Sequence, residues 1–206
     1  MKVKKPHLLN IFRNGGVEGN SDFNMKIFLP ILSILLIISC SKEVPLEQLV
    51  LRDGTFYLIN SNEPFSGITA SYYDNGQLES KGKFKDGEPD GVWEYFHENG
   101  QFKSKGIYVD GKQNGIREIY HENGQLEQRG ELKDGQLHGL LEEYFVNGQL
   151  KEKRNYKDGE LHGFRECYWQ NGQLKFKGNY TEGNREEFFE SYFENGRYNR
   201  RGSSDC

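Results

Sequence analysis

Three sets of residues in this chain could do chemistry: the histidines, a column of glutamates and three cysteines. His97 and His121 lie 24 residues apart, as do His138 and His162. Imidazoles can bind zinc, provided the ligands converge to about 2.1 Å from one ion. Glu94, Glu118, Glu142, Glu166 and Glu190 recur at the same interval. Paired carboxylates about 5–9.5 Å apart are the groups that glycoside hydrolysis uses. Cys40 ends an apolar run, and Cys167 and Cys206 lie far downstream. Whether any set makes a site depends on the framework that spaces it.

That framework is a repeat. Asn75, Asn99, Asn123, Asn147, Asn171 and Asn195 are each followed by Gly, 24 residues apart every time. A fixed period of about 20–50 residues marks a stacked array. The units begin at Gly67, Gly91, Gly115, Gly139, Gly163 and Glu187. Position 2 is apolar: Ile68, Val92, Ile116, Leu140, Phe164 and Phe188. Position 6 is aromatic throughout: Tyr72, Phe96, Tyr120, Tyr144, Tyr168 and Tyr192. A second turn, mostly Lys-Asp-Gly, carries Gly87, Gly111, Gly135, Gly159 and Gly183.

Each unit therefore reads as strand, Asn-Gly turn, strand, Asp-Gly turn. Asn-Gly between alternating strands predicts a two-residue loop with φ > 0 at both residues. Such a loop pairs position 7 with 12 and position 4 with 15. Position 15 is Lys105, Arg129, Lys153, Lys177 and Arg201 in the units where position 4 is Glu. Opposite charges across a strand pair are favourable.

The spacing decides what these residue sets can do. Equivalent residues of adjacent units stand two strands, or about 10 Å, apart. Histidine columns so spaced are expected at the surface or in turns, and the glutamates as salt pairs. No Ser-His-Asp set, phosphate loop or Cys-x-x-Cys occurs, so the expectation is a non-enzyme with no cofactor and no metal. The aromatic column either packs a thin sheet or offers a face to a partner.

Composition agrees. Hydrophobic residues are 34% and aromatics 14%, too many rings for a disordered chain and too little apolar mass for a thick core. Beyond residue 39 the chain holds 22 basic and 29 acidic residues. Nucleic-acid binding needs a basic footprint, so nucleic acid is not expected as a partner.

The segment Met25–Cys40 reads as one lysine, an apolar run from Ile27 to Ile38, then Ser39 and Cys40. The run is too short for a membrane span and fits the apolar core of a signal peptide. Its end resembles a bacterial lipobox, which implies cleavage before Cys40 and lipidation of its sulfur. Met25 is the expected start, with residues 1–24 an over-extended leader or lost with the signal (25–39). Ser41-Lys42-Glu43 resembles a signal that sends lipoproteins to the cell surface. Residues 40–51 read as a tether, 52–66 as a degenerate capping half-repeat, 67–202 as the array and 203–206 as a tail. Three cysteines do not imply a disulfide framework, and a Cys167–Cys206 pair is not expected because the tail would have to fold back.

The string N-Y-K-D-G-E-L-H-G-F-R-E-C-Y-W-Q-N-G-Q-L, residues 155–174, resembles the roughly 24-residue variant of the MORN repeat. The resemblance covers about 52–202. It departs at Arg154, where other units have Gly, and at Glu187, which together suggest a fraying carboxyl-terminal cap. It implies an all-β fold: an elongated, open-ended, single-layer antiparallel sheet of stacked hairpins. It also implies a protein-binding platform, some relatives being regarded as YwqK-type antitoxins that neutralise a toxin by direct binding. With the lipobox, the expected location is the bacterial cell envelope, anchored to a membrane through Cys40. Membrane-surface or glycan-binding scaffolds are the alternatives, though an acidic chain is poorly suited to anionic lipid. Open sheet edges make self-association a further expectation.

Overall fold

A computed structural model describes residues 42–200 of the chain. Residues 1–41 and 201–206, on which the expected leader, signal peptide, Cys40 lipidation and tail fall, lie outside the described residues. Strands β1 (Val44–Pro45), β2 (Leu49–Arg52), β3 (Thr55–Leu58), β4 (Gly67–Tyr72), β5 (Leu78–Lys85), β6 (Glu88–Pro89), β7 (Gly91–Phe96) and β8 (Phe102–Val109) form the first half. The second half holds β9 (Lys112–Gln113), β10 (Gly115–Tyr120), β11 (Leu126–Lys133), β12 (Gln136–Tyr144), β13 (Leu150–Lys157), β14 (Glu160–Tyr168), β15 (Leu174–Thr181) and β16 (Asn184–Ser191). Fourteen make one open sheet in the order β1-β4-β5-β7-β8-β10-β11-β12-β13-β14-β15-β16, with β6 paired to β5 and β9 to β8 off that path, and β2–β3 form a small second sheet. Pairing is antiparallel except where β1 joins β4 in parallel. The fold class expected from the repeat is the fold observed.

The two turns differ from each other. Asp134 and Gly135 have φ of 52° and 84°, so Asp-Gly is the turn with two left-handed residues. At Asn-Gly only the glycine is left-handed, Gly124 at 81°. The Gly124 N–H donates to His121 O at 2.8 Å and the His121 N–H to Gln125 O at 2.9 Å. The loop is thus three residues, Glu122-Asn123-Gly124, a turn closed by a residue in the αL region. This corrects the expected two-residue loop. Position 6, not 7, faces position 12: Tyr120 pairs with Leu126. A bulge then restores the register, because Ile119 pairs with Gln128 and leaves Glu127 as the extra residue. Glu118 therefore still faces Arg129. The longer loop and the bulge cancel.

The asparagines also join units. Asn123 Oδ1 accepts the Gln125 N–H, while its Nδ2 donates to Val146 O in the next unit at 3.1 Å. Asn75, Asn99 and Asn171 make the same forward bond. Asn147 instead reaches Gln149 of its own turn.

Alternation puts positions 3, 5, 14, 16 and 18 on one face, and that face is buried, as the pattern of β5 shows. Phe65, Phe84 and Trp93 form a cluster at one end; Cys167, Phe176 and Tyr180 form one at the other. Each large ring buried this way contributes about 1.5–3 kcal/mol. Between the clusters the face mixes buried Leu132 and Leu141 with ionic groups. Glu152, only 5% exposed, accepts from Arg165 Nε at 2.7 Å and lies 3.5 Å from Arg154 Nε. Arg154 also binds Glu143. The departure at Arg154 is therefore not fraying but part of a buried salt network. In the last unit the return strand is reduced to a single Tyr192–Tyr198 bridge.

Residues 43–51 are not a tether. Val44 and Pro45 pair with Thr69 and Ala70, and Val44, Leu46 and Leu49 pack on the first cluster. The apolar side chains interspersed in this stretch are what fold it back. Cys167 is disulfide-bonded, its partner lying outside the described residues.

Candidate interaction face

The opposite face carries three parallel rows. In the middle runs the charge row, positions 4 and 15. Glu118 lies 2.9 Å from Lys105 of the preceding unit and 3.6 Å from Arg129 of its own. Lys153–Glu166 at 3.5 Å and Lys177–Glu190 at 3.1 Å repeat the backward pair. Glu118 thus sits between two cations, one strand to either side, and Glu166 stands likewise between Lys153 and its register partner Lys177, where the sequence suggested only one. The first unit has Ala70 where the others have Glu. Glu43 supplies the missing carboxylate, 3.2 Å from Lys81. Its carboxylate thus has a structural role in the first unit.

The aromatic row, positions 6 and 12, lies beside it. Tyr120 and Tyr168 donate to Glu118 and Glu166 at 2.8 and 2.7 Å, Tyr192 donates to Glu190, and Tyr72 to Glu43 at 2.8 Å. Tyr144 is partly buried beside Glu142, and Phe96 stacks on Phe102 with centroids 4.9 Å apart. Burial alone would raise the Glu118 pKa, but the Lys105 ammonium and Tyr120 hydroxyl outweigh it and lower it. Burial first, then Glu166, pushes the Tyr168 phenol up to about 12. The hydroxyls of Tyr72, Tyr120, Tyr168 and Tyr192 are committed to the charge row. Of the six rings only Tyr72, at 56%, is largely exposed.

The third row was not singled out from sequence. Position 2 residues Val92, Ile116, Leu140 and Phe164 stand exposed, and position 17 adds Ile107 opposite Val92. Val92 reaches 55% exposure. The signal was available: positions 2 and 4 share a face by the period of two, so an apolar column beside a solvated charge column must also meet solvent. Val92, Ile107 and Ile116 follow one another across the strands, while Glu131 and Asn155 stand between Ile116, Leu140 and Phe164; exposed apolar side chains so grouped are candidates for an interaction site.

The histidines serve as ties between units. His97 Nε2 sits 3.0 Å from Tyr120 O, and His121 Nε2 3.4 Å from Tyr144 O. Tyr73 and Trp169 occupy the same position and make the same bond. His138 pairs with Asp158 at 3.3 Å. Among the described residues no three His, Cys, Asp or Glu side chains converge as a metal site would require.

The charges of this face are neutralised within the sheet, and its apolar row is open. A family profile described as "MORN repeat variant" matches residues 66–86, 89–110, 113–134, 137–158 and 161–182. No curated protein matches the chain.

Proposed function

The chain belongs to the MORN repeat variant family, and from that premise we propose that it is a lipid-anchored, non-catalytic platform for a protein partner in the bacterial envelope. The observation that carries this reading is the exposed row of Val92, Ile107, Ile116, Leu140 and Phe164. It runs beside charges that are already paired and need no partner of opposite sign. Apolar cores framed by polar surface are how protein interfaces are built. The lipobox ending at Cys40 supports the anchor. A disulfide at Cys167 supports a compartment outside the reducing cytosol.

Cross-linking capture from native membranes tests the face. Wild type captures a partner, and the double variant Ile116→Asp, Leu140→Asp loses it while keeping the wild-type circular dichroism. Capture of the same partner by the folded double variant would refute the assignment. Globomycin-sensitive labelling of Cys40 with a lipid precursor tests the anchor separately. Toxin neutralisation of the YwqK type is one form such a platform takes. It requires that the captured partner be toxic when expressed alone and harmless beside this chain; a harmless partner removes that form.

A further inference from the structure

The six Asn-Gly turns repeat one motif, but their side-chain amides are not held alike. We infer that Asn147 and Asn195 are sites of spontaneous modification, deamidating through a succinimide to aspartate and isoaspartate, while the fold holds the other four turns back. Glycine after asparagine favours this chemistry, because no side chain shields the attacking nitrogen. The Gly148 nitrogen attacks Asn147 Cγ and gives up its proton to water. The new C–N bond closes the succinimide ring, the Cγ–Nδ2 bond breaks, and ammonia leaves. Water then opens the ring at either carbonyl. One opening gives aspartate; the other gives isoaspartate, with the main chain rerouted through the side chain. Nothing is oxidised or reduced, and water is the only co-reactant.

Backbone and exposure treat the six turns alike. All six asparagines are exposed, so water reaches each one. Their glycines have φ between 78° and 84°, and each Gly N–H donates to the carbonyl three residues back at 2.8 Å. Each Asn Oδ1 accepts the N–H two residues on, at 2.9–3.1 Å. The difference lies at Nδ2. Asn75, Asn99, Asn123 and Asn171 donate it to a carbonyl of the next unit at 3.2, 2.7, 3.1 and 2.9 Å. Their amides are pinned at both ends and must leave a neighbouring unit before Cγ can swing onto the glycine nitrogen. Asn147 reaches only Gln149 Oε1 of its own turn, at 3.5 Å. Asn195, in the last turn, is held through Oδ1 alone among the described residues. A hydrogen bond of ordinary net strength slows a step that must break it by roughly two- to tenfold. Isoaspartate adds a methylene to the main chain of a loop whose length, with the bulge beside it, sets the register of β12 and β13, so that hairpin feels the change first.

The wild-type chain tests this without substitution. It is held folded in mildly alkaline buffer at body temperature, and peptide mapping by mass spectrometry follows the loss of each amide. Isoaspartate is counted by labelling with a protein-isoaspartate methyltransferase. The same incubation in urea with a reductant gives each turn its rate without the fold, which divides out the residues before each asparagine, since these differ from turn to turn. The expected result is a slowing by the fold at Asn75, Asn99, Asn123 and Asn171 that exceeds the slowing at Asn147 and Asn195 by roughly two- to tenfold. Slowing at Asn147 or Asn195 as large as at the other four overturns the inference. So does a product at both sites that contains aspartate but no isoaspartate, because direct hydrolysis of the side chain, with no ring, yields aspartate alone.

Discussion

Position 16 offers the sharpest test of how the units interlock. Gly82 and Gly106 occupy this column in successive units, and neither has a positive φ that would strain a side chain. A methyl group on Gly82 would lie 2.1 Å from Trp93 Cδ2, with two more ring atoms within 2.6 Å. Trp93 is 5% exposed, edge-on to Phe84 at 5.1 Å, and its Nε1 donates to Lys83 O at 3.1 Å. The ring cannot yield without leaving that packing. Overpacking costs about 1–3 kcal/mol and the lost hydrogen bond about 0.5–1.5 kcal/mol, so Gly82→Ala should destabilise by about 2–4 kcal/mol. At Gly106 the nearest atom is the flexible end of Gln113 at 3.3 Å, then the Arg117 stem at 3.8 Å. There, removing a strand glycine gains about 0.5–1 kcal/mol, and Gly106→Ala should be neutral or stabilising. The two variants differ by about 3 kcal/mol, roughly a hundredfold in the folding equilibrium. Urea denaturation followed by tryptophan fluorescence measures both. Equal effects, or a tolerated Gly82→Ala, would refute the idea that this column is hollowed out for the position-3 side chain of the next unit.

Other expectations follow from the same interactions. Glu152→Ala removes the buried carboxylate shared by Arg154 and Arg165, which face each other across β13–β14, and should cost about 3 kcal/mol by thermal or urea unfolding; a near-neutral variant would mean that Glu143 and solvent already serve these guanidiniums. Tyr168, raised to about 12 from 10, keeps its proton in the fold longer than in the unfolded chain. Its stabilisation is therefore complete below about pH 10 and lost as pH rises toward 12, and Tyr168→Phe should flatten stability across that window. Asn123→Ala removes a bond to the next unit that Asn147→Ala does not, so it should be the more costly by about 1 kcal/mol; matched losses would show that the forward bond contributes nothing. Non-reducing peptide mapping should join Cys167 to Cys206, the one thiol left if Cys40 carries lipid, and a Cys40–Cys167 peptide would remove the anchor.

The ladder was legible because the Glu and Lys/Arg columns are written 11 residues apart in every regular unit, and opposite charges across strands have a plain energetic sense. The turn beneath it was not. A loop one residue longer than expected is offset by one bulged residue, so the charge columns read the same in either geometry. The role of Glu43 was hidden because its partners, Tyr72 and Lys81, lie 29 and 38 residues on; only the gap at Ala70 hinted at it. Arg154 read as decay because the column around it is glycine. What it meets, Arg165 and two carboxylates, depends on which residues share a face across three strands. The exposure of position 2 was readable from the period but was overshadowed by the aromatic column, whose hydroxyls turned out to be spoken for.

The side-chain ties between units have a direction. Tyr73, His97, His121 and Trp169, with Asn75, Asn99, Asn123 and Asn171, all reach carbonyls 23 residues later in the chain. On a ribosome, each hairpin would therefore emerge with its donors open and be closed only when its successor arrives. The first edge needs no predecessor, since Glu43 fills the gap left by Ala70. Growth of such a gene by in-frame duplication is accordingly lopsided: a 24-residue insert is accepted after any regular unit, whose donors await it, but one placed ahead of Gly67 would separate Glu43 from Lys81 and unseat the start of the array.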